Sequence, residues 1–217
     1  PPRMEDAKIP WPDWPENYLE KFWEAGKSYG VATERDMPFM LSRGCPFQCT
    51  FCSSPQMWTT QYNFRDLDDV MNEIKYYINR YNITALQMYD LTAIIKKQWA
   101  MDFCQRMIDE GIKLKWSLPD GTRSEALDKE VLMMMKKSDN NYLVYAPESG
   151  SQRTLKKIKK RVKLKRLIKS VIEAKRLGLI VRTNVIIGFP HETWLDIMKT
   201  ILFQMRNAIR GVDDVTI

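Results

Sequence analysis

Three cysteines stand within eight residues, in the run Arg43-Gly-Cys-Pro-Phe-Gln-Cys-Thr-Phe-Cys-Ser-Ser54. They are Cys45, Cys49 and Cys52, and the fourth cysteine of the chain, Cys104, lies far downstream. Three thiolates on one loop form a soft ligand set, which selects zinc, copper(I) or an iron-sulfur cluster. A closed zinc site takes four protein ligands, and ordinary iron-sulfur clusters take four cysteines. No fourth ligand is at hand. The sole histidine, His191, is distant, and Cys104 falls among Met101, Phe103, Met107 and Ile108 at helical spacing, the setting of a buried structural thiol. Three ligands point to a cluster with one open iron, and a zinc-stabilised binding module without catalysis is the reading from another class.

The elements that must position this loop come from the periodicity. Residues 37–42 read as a strand, 66–81 as a helix, 83–90 as a strand and 96–111 as a helix. The alternation continues with strand 113–118, helix 127–138, strand 141–146, a basic helical region, strand 179–189, helix 192–209 and strand 212–217. Six strands alternating with five helices predict repeated βαβ units around a parallel sheet, and right-handed sequential crossovers curl such a sheet toward a barrel. A full eight-stranded barrel takes about 250 residues, so an α/β fold of six units, a partial (β/α)6 TIM-like barrel, is expected here. Residues 1–30, with five prolines and two tryptophans before residue 17, read as an N-terminal arm or linker and a short helix over 17–29. Residues 31–217 then form the barrel, which stops in its sixth strand, as a segment of a longer protein would.

In such barrels the active site sits at the carboxyl ends of the strands. The cysteine run directly follows the first strand and is therefore at that end. Here the sequence resembles the radical S-adenosylmethionine superfamily: Cys45-x-x-x-Cys49-x-x-Cys52, with Phe51 before the third cysteine, is similar to its signature. The resemblance implies a four-iron four-sulfur cluster on the three cysteines, with the open iron chelated by S-adenosylmethionine. One electron from the cluster then cleaves the sulfonium to methionine and a 5′-deoxyadenosyl radical. The stretch Ala146–Lys160 and the motif at 184–193 resemble members that carry an N-terminal cobalamin-binding domain, with His191 where glycine is usual.

That resemblance implies a set of cofactor residues. Glu148 would bind ribose hydroxyls, with an N-cap for the following helix as its other role; Lys160 would pair with the cofactor carboxylate; Asn184 would lie near the ribose and Ile186 on the adenine. Met88-Tyr89-Asp90 replaces the usual glycine-glycine-glutamate motif, which makes Asp90 the expected acceptor for the cofactor ammonium, or else a helix cap. Arg123 matches an arginine of the cobalamin-linked members and would bind a carboxylate. The implied activity is methylation, cyclisation or rearrangement at an unactivated carbon, on a small-molecule substrate, with cobalamin bound outside this segment and an electron donor such as flavodoxin or ferredoxin. A methylthiotransferase-like tRNA modification enzyme is the alternative.

The net charge of +7 sits in one place. Leu155–Arg176 holds eleven Lys or Arg against Glu173 alone, a local excess of ten that leaves minus three for the rest. Leu164, Leu167, Ile168, Val171 and Ile172 recur at helical spacing within it, so a solvated helix face is the plain reading and a phosphate- or RNA-binding surface the other. No apolar run approaches the roughly 20 residues of a membrane span, and clustered rather than dispersed cysteines suit a reducing, cytoplasmic setting.

Overall fold

The structure is a computed structural model describing residues 10–26, 35–58 and 60–217. In chain order its elements are α1 (Tyr18–Glu24), β1 (Asp36–Phe39), β2 (Ser42–Gly44), α2 (Ser54–Met57), β3 (Tyr62–Phe64), α3 (Leu67–Tyr81), β4 (Ala85–Met88) and α4 (Lys97–Asp109). There follow β5 (Lys115–Thr122), α5 (Lys129–Lys137), β6 (Asn140–Glu148), α6 (Gln152–Lys157), α7 (Leu164–Arg176), β7 (Ile180–Val185), α8 (Trp194–Ile209) and β8 (Asp214–Thr216). Six strands make one sheet in the order β1-β4-β5-β6-β7-β8, every pair parallel. The predicted α/β architecture and its sequential strand order are what the structure has.

Several helices start where the sequence supplies an acceptor for their first amides. Asp66 takes the Asp69 amide at the start of α3, Asp128 takes that of Val131 in α5, and Thr193 with Asp196 forms a capping box on α8. Each helix buries one stripe against the sheet. Phe39 of β1 meets Tyr77 of α3 edge-on (6.3 Å), Trp116 of β5 meets Phe103 of α4 (5.5 Å), the Tyr145 hydroxyl of β6 pairs with Ser170 of α7, and Thr183 of β7 donates to Gln204 of α8. Trp116 is 1% exposed and its indole N–H donates to the Ser138 carbonyl (2.7 Å), so its burial leaves no orphan donor.

Alternation sends the intervening residues to the opposite face. Gln87, Ser117 and Tyr142 lie in register across β4, β5 and β6, and Ser117 Oγ donates to Gln87 Oε1. Arg182 and Asn184 occupy the same face of β7, and Arg182 pairs with Asp214 of β8. The apolar positions Val181 and Val185 are buried while Arg182 and Asn184 are partly open.

Two features differ from expectation. The strand read over 37–42 is two, β1 and then β2, and β2 turns away to pair antiparallel with β3. The basic region is likewise two helices, because residues 158–163 between α6 and α7 leave the helical path and Lys159 takes φ 55°. Of the proposed N-terminal arm, residues 1–9 and 27–34 lie outside the described residues. Within the described part, residues 10–15 run without regular structure along α3, where Trp11 Nε1 donates to Asp69 (2.9 Å) and the Tyr77 hydroxyl donates to the Pro12 carbonyl (3.1 Å). No described helix is long and apolar enough to cross a membrane.

Gly150, between β6 and α6, touches α8 so closely that a Cβ would stand 2.6 Å from both the Lys199 carbonyl oxygen and Phe203 Cβ. Gly150→Ala should lower stability by about 1–3 kcal/mol in urea unfolding, since the nearest obstacle is backbone. A midpoint equal to wild type would show that α8 can retreat.

Candidate active site at the carboxyl ends of the strands

The cysteine loop hangs from the β2–β3 hairpin, in which Gly44 faces Tyr62. Gly44 has φ 82°, and a Cβ there would meet the Gln61 carbonyl oxygen at 2.1 Å; only glycine lets the two ends of the loop close. Cys45 and Cys49 are half-buried, Cys52 is exposed, and all three are free thiols. The Cys52 amide donates back to the Cys49 carbonyl (3.1 Å), which makes a tight turn between the last two thiols. Ser54 N donates to Cys52 Sγ (3.5 Å).

The loop is tied down on two sides. From below, Asp90 just past β4 is 2% exposed and its carboxylate accepts from Leu41 N (3.0 and 3.1 Å), Ser42 N and Ser42 Oγ. These atoms form the corner at which the chain leaves β1 and enters β2. Arg65 braces the same corner by donating to the Met40 carbonyl (2.9 Å) while pairing with the buried Glu73. From the other side the Thr50 amide donates to the Ile158 carbonyl (3.0 Å), Arg123 stacks its guanidinium 3.6 Å from the Phe47 ring centre, and Phe51 packs on Phe189 (5.6 Å).

Cations converge on the thiols. Burial pushes the Cys49 thiol up, while Lys160 and then Arg123 pull it back toward the thiolate. Lys160 is itself buried against Glu148 (2.9 Å) and lies 6.0 Å from the Phe51 ring centre. Glu148 ends β6 after a register shift, at φ 67°, a conformation unusual for a non-glycine residue and characteristic of functional positions. Its carbonyl accepts from Ile186 N (2.8 Å), which carries the pairing across to the end of β7. The helix that follows is capped by Ser151 and not by Glu148, whose carboxylate pairs with Lys160.

The structure brings most of the expected residues together. Phe51, Arg123, Glu148 and Lys160 surround the cysteine loop, with Asn184 and Ile186 on the adjoining β7 end. Asp90 caps no helix, since Lys96 is the residue at the N-cap of α4, and its carboxylate accepts from the Leu41–Ser42 corner behind the loop. Cys104 is 1% exposed among the core side chains of α4, with its thiol pushed up to about 11 by burial. His191 stacks beside Phe189 at the rim, and its carbonyl accepts from Arg153.

Sequence reasoning passed over the frame behind Glu148. Ser149 Oγ pairs with Thr200 Oγ1 (3.0 Å), Ser151 Oγ donates to Asp196 (2.6 Å), and Arg153 holds the buried Asp196 carboxylate well below the usual carboxylate range. The available signal was the Thr193–Asp196 capping spacing, which reads as a helix start and hides that Asp196 also grips the loop after β6.

A family model described as the Radical SAM superfamily matches residues 39–203. The chain belongs to that superfamily. It is 30% identical over 196 residues to an uncharacterised methyltransferase of Pyrococcus horikoshii, covering 90% of this chain and 41% of that protein. It is 32% identical over 185 residues to cytidylyl-2-hydroxyethylphosphonate methyltransferase of Streptomyces wedmorensis, covering 84% and 34%. The fold is that of the radical S-adenosylmethionine methyltransferase TsrM of Kitasatospora setae, a structure with cobalamin and a [4Fe-4S] cluster bound: TM-score 0.67, 13% identity, 79% of this chain and 32% of that one. The chain spans roughly a third to two fifths of the length of these relatives.

The residues fit the superfamily's cofactors in their chemistry. A four-iron cluster takes one thiolate per iron, and three thiols spread along one loop offer that donor set. Asn184 Oδ1 at the end of β7 and Arg123 Nε after β5 are buried without a hydrogen-bond partner among the described residues, an acceptor and a donor that a polar ligand can satisfy.

Burial pushes the Asp90 carboxyl up to about 6 against the hydrogen bonds of Ser42 and Leu41, so the folded chain holds a proton there that the unfolded chain has already released. Stability should therefore fall as pH rises from the ordinary 3.8 to about 6, by at most about 3 kcal/mol, and Asp90→Asn should lack that component. Urea midpoints of the two proteins across this window check it; parallel pH profiles would refute the burial effect.

Proposed function

We propose that this chain is the radical-generating core of an enzyme that modifies an unactivated carbon of a small molecule, with cobalamin-dependent methyl transfer as the favoured outcome. The observation that carries the proposal is the set of three free thiols on one loop at the strand ends, faced by Lys160 and Arg123. When bound, a [4Fe-4S] cluster on Cys45, Cys49 and Cys52 supplies the single electron that splits S-adenosylmethionine into methionine and a 5′-deoxyadenosyl radical. Both similar curated relatives are named methyltransferases, and the TsrM structure contains cobalamin, which supports the choice of methyl transfer.

The chain's own residues divide the remaining tasks. Lys160 and Arg123 bias Cys49 toward the thiolate that ligation requires and offer cationic partners for a carboxylate. Glu148 presents acceptor oxygens to ribose hydroxyls, and Asn184 Oδ1 adds a further acceptor on the neighbouring strand. Ile186, 37% exposed, offers an apolar surface for an adenine ring, and Phe51 packs on Phe189 beside the thiols. Asp90 contributes through the corner it holds, by fixing where β2 delivers Cys45.

Replacing any one of Cys45, Cys49 or Cys52 by Ala should abolish visible iron-sulfur absorbance after anaerobic reconstitution and 5′-deoxyadenosine release under dithionite. Cys104→Ala should keep both, because its buried thiol is remote from the loop. A colourless zinc-loaded protein, or loss of the cluster in the Cys104 variant, would overturn the assignment.

A further inference from the structure

The segment from the end of α6, through the α6–α7 loop, to the start of α7 carries a density of charge that the site does not use. Lys156, Lys157, Lys159, Arg161, Lys163 and Lys165 are all exposed, and among the described residues none of the six makes an ion pair; Lys160, turned inward to Glu148, is the neighbour that does. No acid occurs between Gln152 and Ile172. The surface is therefore a patch of one sign, and such patches raise association rates with partners of the opposite sign while binding falls with salt.

The position of the patch is as informative as its charge. The Ile158 carbonyl at the end of α6, where the loop begins, is the acceptor for Thr50, between the second and third cysteines, and Lys160 reaches the Phe51 ring. A protein seated on these lysines would thus border the loop that presents the thiols. The chemistry proposed there consumes one electron per cleavage, which an external donor must bring close. A nucleic acid is the competing occupant of a basic patch, but from Gly150 to Gly188 the sequence has no Phe, Trp, Tyr or His, so the segment offers no ring on which a base could stack.

We propose that the cationic α6–α7 loop is the docking surface for a small acidic one-electron carrier protein, bearing a flavin or an iron-sulfur centre. The inference rests on the radical reading of the cysteine loop. One electron leaves the reduced carrier, which is oxidised by one, and is taken up at the centre held by the three thiolates, which is reduced by one; no atom or proton is exchanged.

The test uses oxidised flavodoxin, an acidic flavin protein, and the triple variant Lys156→Glu, Lys157→Glu, Lys159→Glu, none of which is placed in the site. Binding to the cluster-free chain, followed by calorimetry, should weaken about tenfold or more in the variant, and the wild-type affinity should fall with added salt while the variant's does not. After reconstitution, 5′-deoxyadenosine release driven by reduced flavodoxin should drop about tenfold, and release driven by dithionite should be unchanged. Equal flavodoxin binding by both proteins, or an equal loss with both reductants, overturns the docking surface. So does a variant that loses affinity for a single-stranded RNA oligonucleotide but not for flavodoxin. No cleavage by the wild type with dithionite overturns instead the radical reading of the site, and the binding measurement stands apart from it.

Discussion

The site depends on a carboxylate that water does not reach. Asp90 collects the amides of Leu41 and Ser42 and the Ser42 hydroxyl at the one place where the chain leaves the parallel sheet to form a hairpin. Those amides have no ladder partner once β1 has ended, and leaving them buried and unpaired would cost about 1–3 kcal/mol each. A carboxyl group can satisfy all of them at once because it accepts through two oxygens. The hairpin, Gly44 and the cysteine loop then follow as consequences of where that corner is fixed. The burial of Asp90 is unfavourable for the carboxylate itself, and the arrangement survives because the neighbouring donors oppose part of that penalty.

From the corner outward, the contacts of the loop come from separate segments: Arg123 after β5 meets Phe47, Phe189 after β7 meets Phe51, and Ile158 and Lys160 reach it from the segment after α6. Register shifts interrupt β6 against both its neighbours, and Glu148 ends that strand paired with Lys160. The cations that favour thiolates are thus borrowed from distant parts of the sequence. Asp196 and Arg153 stiffen the loop after β6 from behind, so the left-handed backbone at Glu148 is held by α8 and not by the residue's own preference.

Much of this was legible in the residues. The six parallel strands and their order followed from periodicity, because a βαβ chain repeats one local rule. The three thiols were legible from spacing, and the burial of Cys104 from its apolar neighbours. The hairpin was not, since Ser42–Gly44 and Tyr62–Phe64 are too short to show a period, and their pairing is set by the close approach of Gly44 to Gln61. Nor was the place of Asp90, whose partners are backbone amides that no side-chain pattern records. The break in the basic region was hidden because lysines suit a helix and a loop alike, and Lys159 adopts its left-handed backbone only where Ile158 has turned its carbonyl to Thr50.

The two faces of the sheet divide the labour of the molecule. Helix-facing positions such as Phe39, Trp116, Tyr145 and Val181 hold the fold together, while the opposite wall, with Gln87, Ser117, Tyr142 and Arg182, is polar and contributes little apolar burial. Substitutions on that wall act through hydrogen bonds more than through apolar burial, since Gln87 and Ser117 are buried partners and either one replaced alone would strand the other at about 1–3 kcal/mol. New side chains on that wall therefore have to arrive in matched sets, so its polar pattern is inherited as a unit.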